Sequence, residues 1–269
     1  MDISDSFFQN ITSSQTSFDI SQTSLYLTNC TFDSIINLNI RGDSSSIFMN
    51  KIIFQNVQCQ NLDSGCVLTC TFETSLEINN SIFANISNVN VLGNIYLENS
   101  EALIYNNIFS NLYANKINGA CFYSENSNIT IEESLFSSYY ENCLYMVSTI
   151  AYLTNSTFDN QNLNSSQGNF NWGALYCELC LLFQLNGSII RKNKNSNTGG
   201  GVALINNANS NTCSFLVINC FFEENEAGSG GAICISEMAG KIISTTFLSN
   251  NALYGGAIYY LTNGNFLII

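Results

Sequence analysis

A phenylalanine returns at nearly even intervals along this chain, and few folds accept so long a period. The anchor positions are Phe8, Phe32, Phe54, Phe83, Phe109, Phe136, Phe158, Ile190, Phe222 and Phe247. Each anchor closes a short segment, as in Leu25-Tyr-Leu-Thr-Asn-Cys-Thr-Phe32, Leu76-Glu-Ile-Asn-Asn-Ser-Ile-Phe83 and Phe215-Leu-Val-Ile-Asn-Cys-Phe-Phe222. A glycine followed by small and apolar residues keeps step about ten residues later. It appears at Gly65, Gly93, Gly119, Gly173, Gly200, Gly230 and Gly255. Two anchors in joint register are hard to obtain from biased composition alone. Every anchor interval falls within the roughly 20–50-residue range that signals a solenoid, a propeller or an array.

Each period reads as one coil carrying two short strands. Leu25, Leu27 and Phe32, like Leu76, Ile78 and Phe83, alternate with polar residues as a half-buried strand does. The apolar stub after the glycine, Ile233 and Ile235 or Ile258 and Tyr260, is the second strand. No stretch keeps the i, i+3, i+4, i+7 pattern, so helices are expected to be few. The leucine-rich repeat is the nearest competitor, but its framework does not recur and phenylalanine is the fixed residue. Stacking about ten coils at the strand spacing gives a rod roughly 45–50 Å long.

The composition then falls into positions. Asn29, Asn80, Asn106, Asn155 and Asn219 stand three residues before their anchors, and Asn10, Asn56, Asn85, Asn111 and Asn160 two after theirs. Asparagine tolerates left-handed corners and hydrogen-bonds along a ladder. Glycine supplies positive φ and lets neighbouring coils approach. The chain has no proline, which suits interior ladder strands that need every N–H.

The second half of the chain pairs Phe-x-x-Asn (Phe222 to Asn225, Phe247 to Asn250) with Gly-Gly-Ala-Ile (Gly230 to Ile233, Gly255 to Ile258). These motifs resemble the polymorphic outer-membrane-protein repeats. The resemblance is best over residues 190–260. Between 50 and 189 the asparagine usually stands one residue nearer, as in Phe83-Ala-Asn85, and Gly-Gly-Ala shrinks to Gly-Ala. The resemblance implies a right-handed parallel β-helix in a surface-exposed region and a role in adhesion. The family's membrane barrel and secretion signal are not seen in this sequence. A wider resemblance is to pectin-lyase-like β-helices, which include polysaccharide lyases and hydrolases.

Chemistry is harder to find. The chain has no histidine, hence no imidazole base, Ser-His or Cys-His couple, or histidine metal ligand. A formal charge of −13 argues against nucleic acid and anionic membrane surfaces. No apolar stretch approaches the ~18–20 residues of a membrane span, and no signal peptide is visible at Met1-Asp2-Ile3-Ser4-Asp5. Eight N-x-[ST] sequons match what 42 asparagines yield by chance, so they carry no information about secretion.

Cys177-Glu-Leu-Cys180 lacks the second pair that zinc needs and the βαβ context of a redox motif. Buried thiols are the expected reading, with disulfides between neighbouring coils the alternative in an oxidising compartment. Cys30 and Cys220 share one repeat position, which favours packing. Arg191-Lys192-Asn193-Lys194 and the acidic turn Glu223, Glu224 and Glu226 read as solvated turns; their alternatives are lyase-like cation support, a calcium site, or pairing with each other. Asp33 and Asp159 both follow an anchor and read as turn chemistry rather than as the carboxylate pair of a glycosidase. Two coils carry insertions, Gln161 to Trp172 and Asn206 to Cys213. Phe170, Asn171 and Trp172 in the first are the candidate ligand or partner platform, because solenoid insertions gather on binding faces.

The expectation is an all-β parallel β-helix of about ten coils over residues 1–269, a fragment of a longer repeat protein. It is expected to be a non-catalytic, structural or adhesive segment of a large cell-surface or secreted protein whose parent is membrane-associated. No catalytic residue, metal or cofactor is assigned. Expected partners are glycans or other surface proteins met through loops, and a second copy meeting it end to end. The alternatives are a carbohydrate-active β-helix enzyme and a cytosolic scaffold.

Overall fold

The computed structural model describes residues 1–12, 18–59, 65–88, 93–114, 121–139, 142–160, 173–195, 197–206, 213–261 and 266–268. Among these there is no helix. Three long sheets of eleven, eleven and ten strands run along the molecule, and each strand pairs with its counterpart one coil away. Sheet 1 begins with Asp2–Ser4, sheet 2 with Phe7–Gln9 and sheet 3 with Phe18–Ser21, and the pairing is parallel throughout. This is a parallel β-helix.

Each coil has three strands where the sequence reading expects two. In one coil these are Ser24–Thr28, Thr31–Asp33 and Ile40–Asp43. The segment ending at the anchor is bent at Asn29, whose φ of 53° lies in the left-handed region. The buried residues Leu25, Leu27, Cys30 and Phe32 shift phase by one across this corner, and that odd step, which a single strand cannot hold on one face, is the sign of the corner in the sequence.

The predicted anchors form one unbroken column in sheet 2. Phe8 pairs with Phe32, Phe32 with Phe54, and so on through Ile190 and Phe222 to Phe247. Rings within the column stack at centroid distances such as 4.6 Å for Phe109–Phe136 and 4.8 Å for Phe136–Phe158. Burying these rings and the Leu and Ile of sheets 1 and 3 supplies the main driving force, at roughly 25 cal/mol per Å² of apolar surface.

The asparagine columns are corners, as expected. Asn29, Asn80, Asn106, Asn155 and Asn219 have φ of 48–53° between sheets 1 and 2. Asn10, Asn56, Asn85 and Asn111 have φ of 52–54° just after sheet 2, whereas Asn160 departs from this column and is not left-handed. Side-chain amides bridge coils on the outside: Asn80 donates to Asn50 at 3.1 Å, Asn106 to Asn80 at 2.8 Å and Asn111 to Asn85 at 3.1 Å.

The two asparagine motifs turn out to be different positions. Asn225 and Asn250, of Phe-x-x-Asn, point inside the corner. Asn225 Nδ2 donates to the Ile190 carbonyl at 2.9 Å, and its Oδ1 accepts the Asn193 N–H at 3.1 Å. In earlier coils the inner position is Val57, Ile86 or Leu112, all buried, and the nearer asparagine is the exposed left-handed residue before it. The shorter spacing is therefore not a degraded copy of the longer one.

A further inner column is not marked in the sequence. The residue after the first corner is Ser81, Asn107, Ser134, Ser156 and Ser188 in successive coils, each buried. Each donates to the carbonyl two residues back, and each of the last four accepts the N–H of the coil before it. Buried polar groups are tolerated when so satisfied.

Gly-Gly divides two jobs between its residues. Gly230 and Gly255 take positive φ, 64° and 59°. The second glycine allows close approach: a Cβ on Gly231 would stand 2.2 Å from the Gly256 carbonyl oxygen. Gly119 lies outside the described residues.

Candidate interaction surface

The charged clusters singled out in the sequence are largely consumed by the architecture. Arg191 Nη2 lies 2.7 Å from Asp159 Oδ2, one coil away, and the Asp159 side chain is only 4% exposed. Lys194 Nζ lies 2.8 Å from Glu226 Oε2, across an exposed coil–coil step. The basic and acidic turns are thus joined at Lys194 and Glu226, as the alternative reading has it, while Arg191 turns to Asp159 instead. Asp33 and Asp159 end sheet 2 strands and are buried, which corrects their reading as turn residues. Asp33 accepts from the Asn56 amide at 2.8 Å, and this bond holds its carboxyl below the usual range, helped by Ser34 and Gln9 against the cost of burial. Five coils separate the two aspartates along the rod, so they do not face one cleft.

Cys177 and Cys180 are joined in a disulfide, and so are Cys59 and Cys66. This corrects the expectation of buried thiols for the CxxC pair, and it places both bonds inside a coil rather than between coils. Between Cys177 and Cys180 the chain turns back far enough to hold their Cα atoms 5.8 Å apart. Cys30 and Cys220 remain thiols at equivalent corners, and each donates to the carbonyl two residues back. Among the described residues no group of three or more His, Cys, Asp or Glu is placed to hold a metal ion.

Phe170, Asn171 and Trp172 lie outside the described residues, as do 207–212 of the second insertion. The described residues do show where these insertions enter. The first residue of each sheet 1 strand stands eight residues before its anchor in all nine coils from Ser24 and Phe32 to Ala239 and Phe247. The step from the anchor to the next sheet 3 strand varies instead, from eight positions (Phe32 to Ile40) to seventeen (Phe158 to Leu175). Variation in coil length thus enters chiefly on one side of the rod, between sheets 2 and 3. The exception is Val202 to Ser214, between sheets 3 and 1.

Two outer faces carry unusual rows. On sheet 3, Tyr96, Tyr123, Tyr145 and Tyr176 pair in register, with ring centroids 5.4, 5.5 and 4.7 Å apart. Tyr96, Tyr123 and Tyr176 donate to Glu98, Glu125 and Glu178. Burial, then the Glu98 charge, pushes the Tyr96 phenol up to about 12, and the Tyr123 phenol rises for the same two reasons through Glu125. Rings stacked on one another present edges, so this row is no open platform for a sugar ring. On sheet 2, the residues just before the anchors form an exposed apolar row interrupted by Thr157: Ile82, Ile108, Leu135 and Ile189 are 36–42% exposed. Their signal in the sequence is the residue preceding each anchor, which the more regular anchor overshadows. A shallow polar groove of about 510 Å³ follows the corner between sheets 3 and 1, lined by Glu73, Asn99, Glu101 and Asn126 among others.

No family model matches the chain, and no curated protein matches it significantly.

Proposed function

We propose that this chain is a non-catalytic β-helical segment of a large cell-surface or secreted protein, with a structural or adhesive role. The observation that carries the reading is the one-sided variation in coil length. The fixed eight-residue step keeps the sheets in register, while the side between sheets 2 and 3 accepts segments of different length. A scaffold that holds one variable side along a rigid rod suits recognition of other surface molecules, because loops carry binding residues on rigid frames. The resemblance to polymorphic outer-membrane-protein repeats, and more widely to pectin-lyase-like β-helices, supports the same reading. Glycans or surface proteins are the proposed partners, with Phe170, Asn171 and Trp172 as the proposed contact loop.

The chain has a single tryptophan, Trp172, so its emission reports on that loop alone. Titration with glycans and with isolated surface proteins is expected to shift Trp172 emission. Replacing residues 161–172 with a short Gly-Ser link, which also removes Trp172, is expected to abolish binding as measured by titration calorimetry while leaving the β-type circular dichroism unchanged. Binding that survives the replacement would remove the loop from the proposal. Turnover of an acidic polysaccharide by the purified chain would overturn the non-catalytic reading.

A further inference from the structure

Both disulfides close a short loop within one coil. Nothing in them opposes the separation of one coil from the next. One other pair of sulfurs stands in a position to do so. Cys121 and Cys143 occupy the same site in successive coils, the residue before the sheet 3 strands Phe122–Glu125 and Leu144–Val147. The Cys121 and Phe122 N–H groups both donate to the Cys143 carbonyl, at 3.2 and 3.1 Å. Parallel strands paired this way hold their Cα atoms about 4.8 Å apart, inside the roughly 4.4–6.8 Å that disulfides span. The two sulfurs are 3.5 Å apart and fully enclosed. Their neighbours in the column are Asn94 below and Ala174 above, so no other sulfur competes there.

We propose that Cys121 and Cys143 are the two halves of a cross-coil disulfide. The oxidant is a small-molecule disulfide such as oxidised glutathione. The thiolate of one cysteine attacks a sulfur of the oxidant, forming a mixed disulfide and expelling one small thiol. The second cysteine then displaces the other small thiol and closes the Cys121–Cys143 bond. Two cysteine protons and two electrons leave with the two small thiols, and one S–S bond is broken for the one made. Burial pushes the Cys143 thiol well above its usual range, which keeps exchange slow in the closed coil. The bond therefore forms while these two coils are closing during folding.

The test is to refold the whole chain in a glutathione redox buffer, quench, denature without reductant and alkylate. Seven cysteines carry thiols outside the two short-range bonds. Closure of the proposed bond leaves five labels, and a non-reducing peptide map shows the 121–143 link. The C121S variant is expected to take six labels, because Cys143 loses its partner. Circular dichroism confirms that each sample is folded. Seven labels on folded wild-type protein would overturn the proposal, and so would five labels with a peptide map joining Cys121 or Cys143 to any other cysteine.

Discussion

Phe136 offers the sharpest test of how the rod is held together. Its ring is fully buried and lies between Phe109, at 4.6 Å and 2° from parallel, and Phe158, at 4.8 Å and 8°. It also meets the edge of Phe122 at 6.3 Å. Phe136→Ala removes the ring from a site whose neighbours are pinned by ladders on both sides and cannot collapse into the space. The cost is about 3–5 kcal/mol for the lost burial and cavity, which already contains two stacking contacts of about 0.5–1.5 kcal/mol each. Phe247 sits in the last anchor position, is only partly buried and stacks on one side alone, at 5.3 Å from Phe222. Phe247→Ala should therefore cost less than half as much, about 1–2 kcal/mol. Urea unfolding followed by circular dichroism measures both. Because coils contact chiefly their neighbours, apart from links such as the Tyr139 hydroxyl to Asn193 two coils on, a defect in the middle also weakens the coupling between the two ends. In Phe136→Ala the circular dichroism and Trp172 emission transitions should separate, while in wild type they coincide. Equal losses at the two positions, or a loss below about 1 kcal/mol at Phe136, would refute the idea that the stacked column holds the coils together.

Asn225→Ala should cost about 2–4 kcal/mol in urea unfolding, because it strands the buried Asn193 N–H and Ile190 carbonyl. At the left-handed corner, Asn106→Ala is expected to cost about 1 kcal/mol and Asn106→Gly a few tenths at most, read from thermal midpoints. Arg191→Ala should destabilise by about 1–3 kcal/mol since it removes the guanidinium from enclosed Asp159, whereas Lys194→Ala, at an exposed pair, should cost under about 1 kcal/mol. The raised phenol of Tyr96 gives a stabilising contribution present below the unfolded tyrosine value near 10 and lost as pH climbs toward about 12. Phenolate absorbance and unfolding followed together across that window should move in step, and Glu98→Gln should shift Tyr96 ionisation downward.

The fold was legible because its strongest determinants recur. All ten anchors stand in one column, and the asparagine corners fall where their spacing puts them, Asn160 excepted. What escaped was set by geometry that a repeat count cannot carry. A left-handed residue such as Asn29 shifts the alternation by a single position, from Leu25 and Leu27 to Cys30 and Phe32, and with that one-residue slip overlooked a coil of three strands reads as two. The inner column of Ser81, Asn107, Ser134 and Ser156 is chemically mixed, and only its shared position after a corner unites it. The ion pairs of Arg191 and Lys194 depend on which residues lie one coil away, far from either in the sequence. Neither Asp159 as the partner of Arg191 nor the closure of Cys177 on Cys180 follows from the local sequence, whereas pairing of the basic and acidic turns stood among the alternatives and is seen at Lys194 and Glu226. Phe170, Asn171 and Trp172, the candidate platform, remain a reading of the sequence.

The coil spacing also fixes how the molecule would answer a pull on its two ends. A folded coil contributes about 4.8 Å to the length of the rod, but a coil drawn straight contributes about 3.3–3.6 Å for every residue. From the short coil between Phe32 and Phe54 to the long one between Phe158 and Ile190, the straightened length is very roughly 75–115 Å per coil. That is some twentyfold more than a coil occupies when wound. The short-range disulfides trim two of these releases, since the residues between Cys59 and Cys66 and between Cys177 and Cys180 cannot straighten while oxidised. Under load the chain would pay out in unequal steps whose sizes are written in the distances between its phenylalanines.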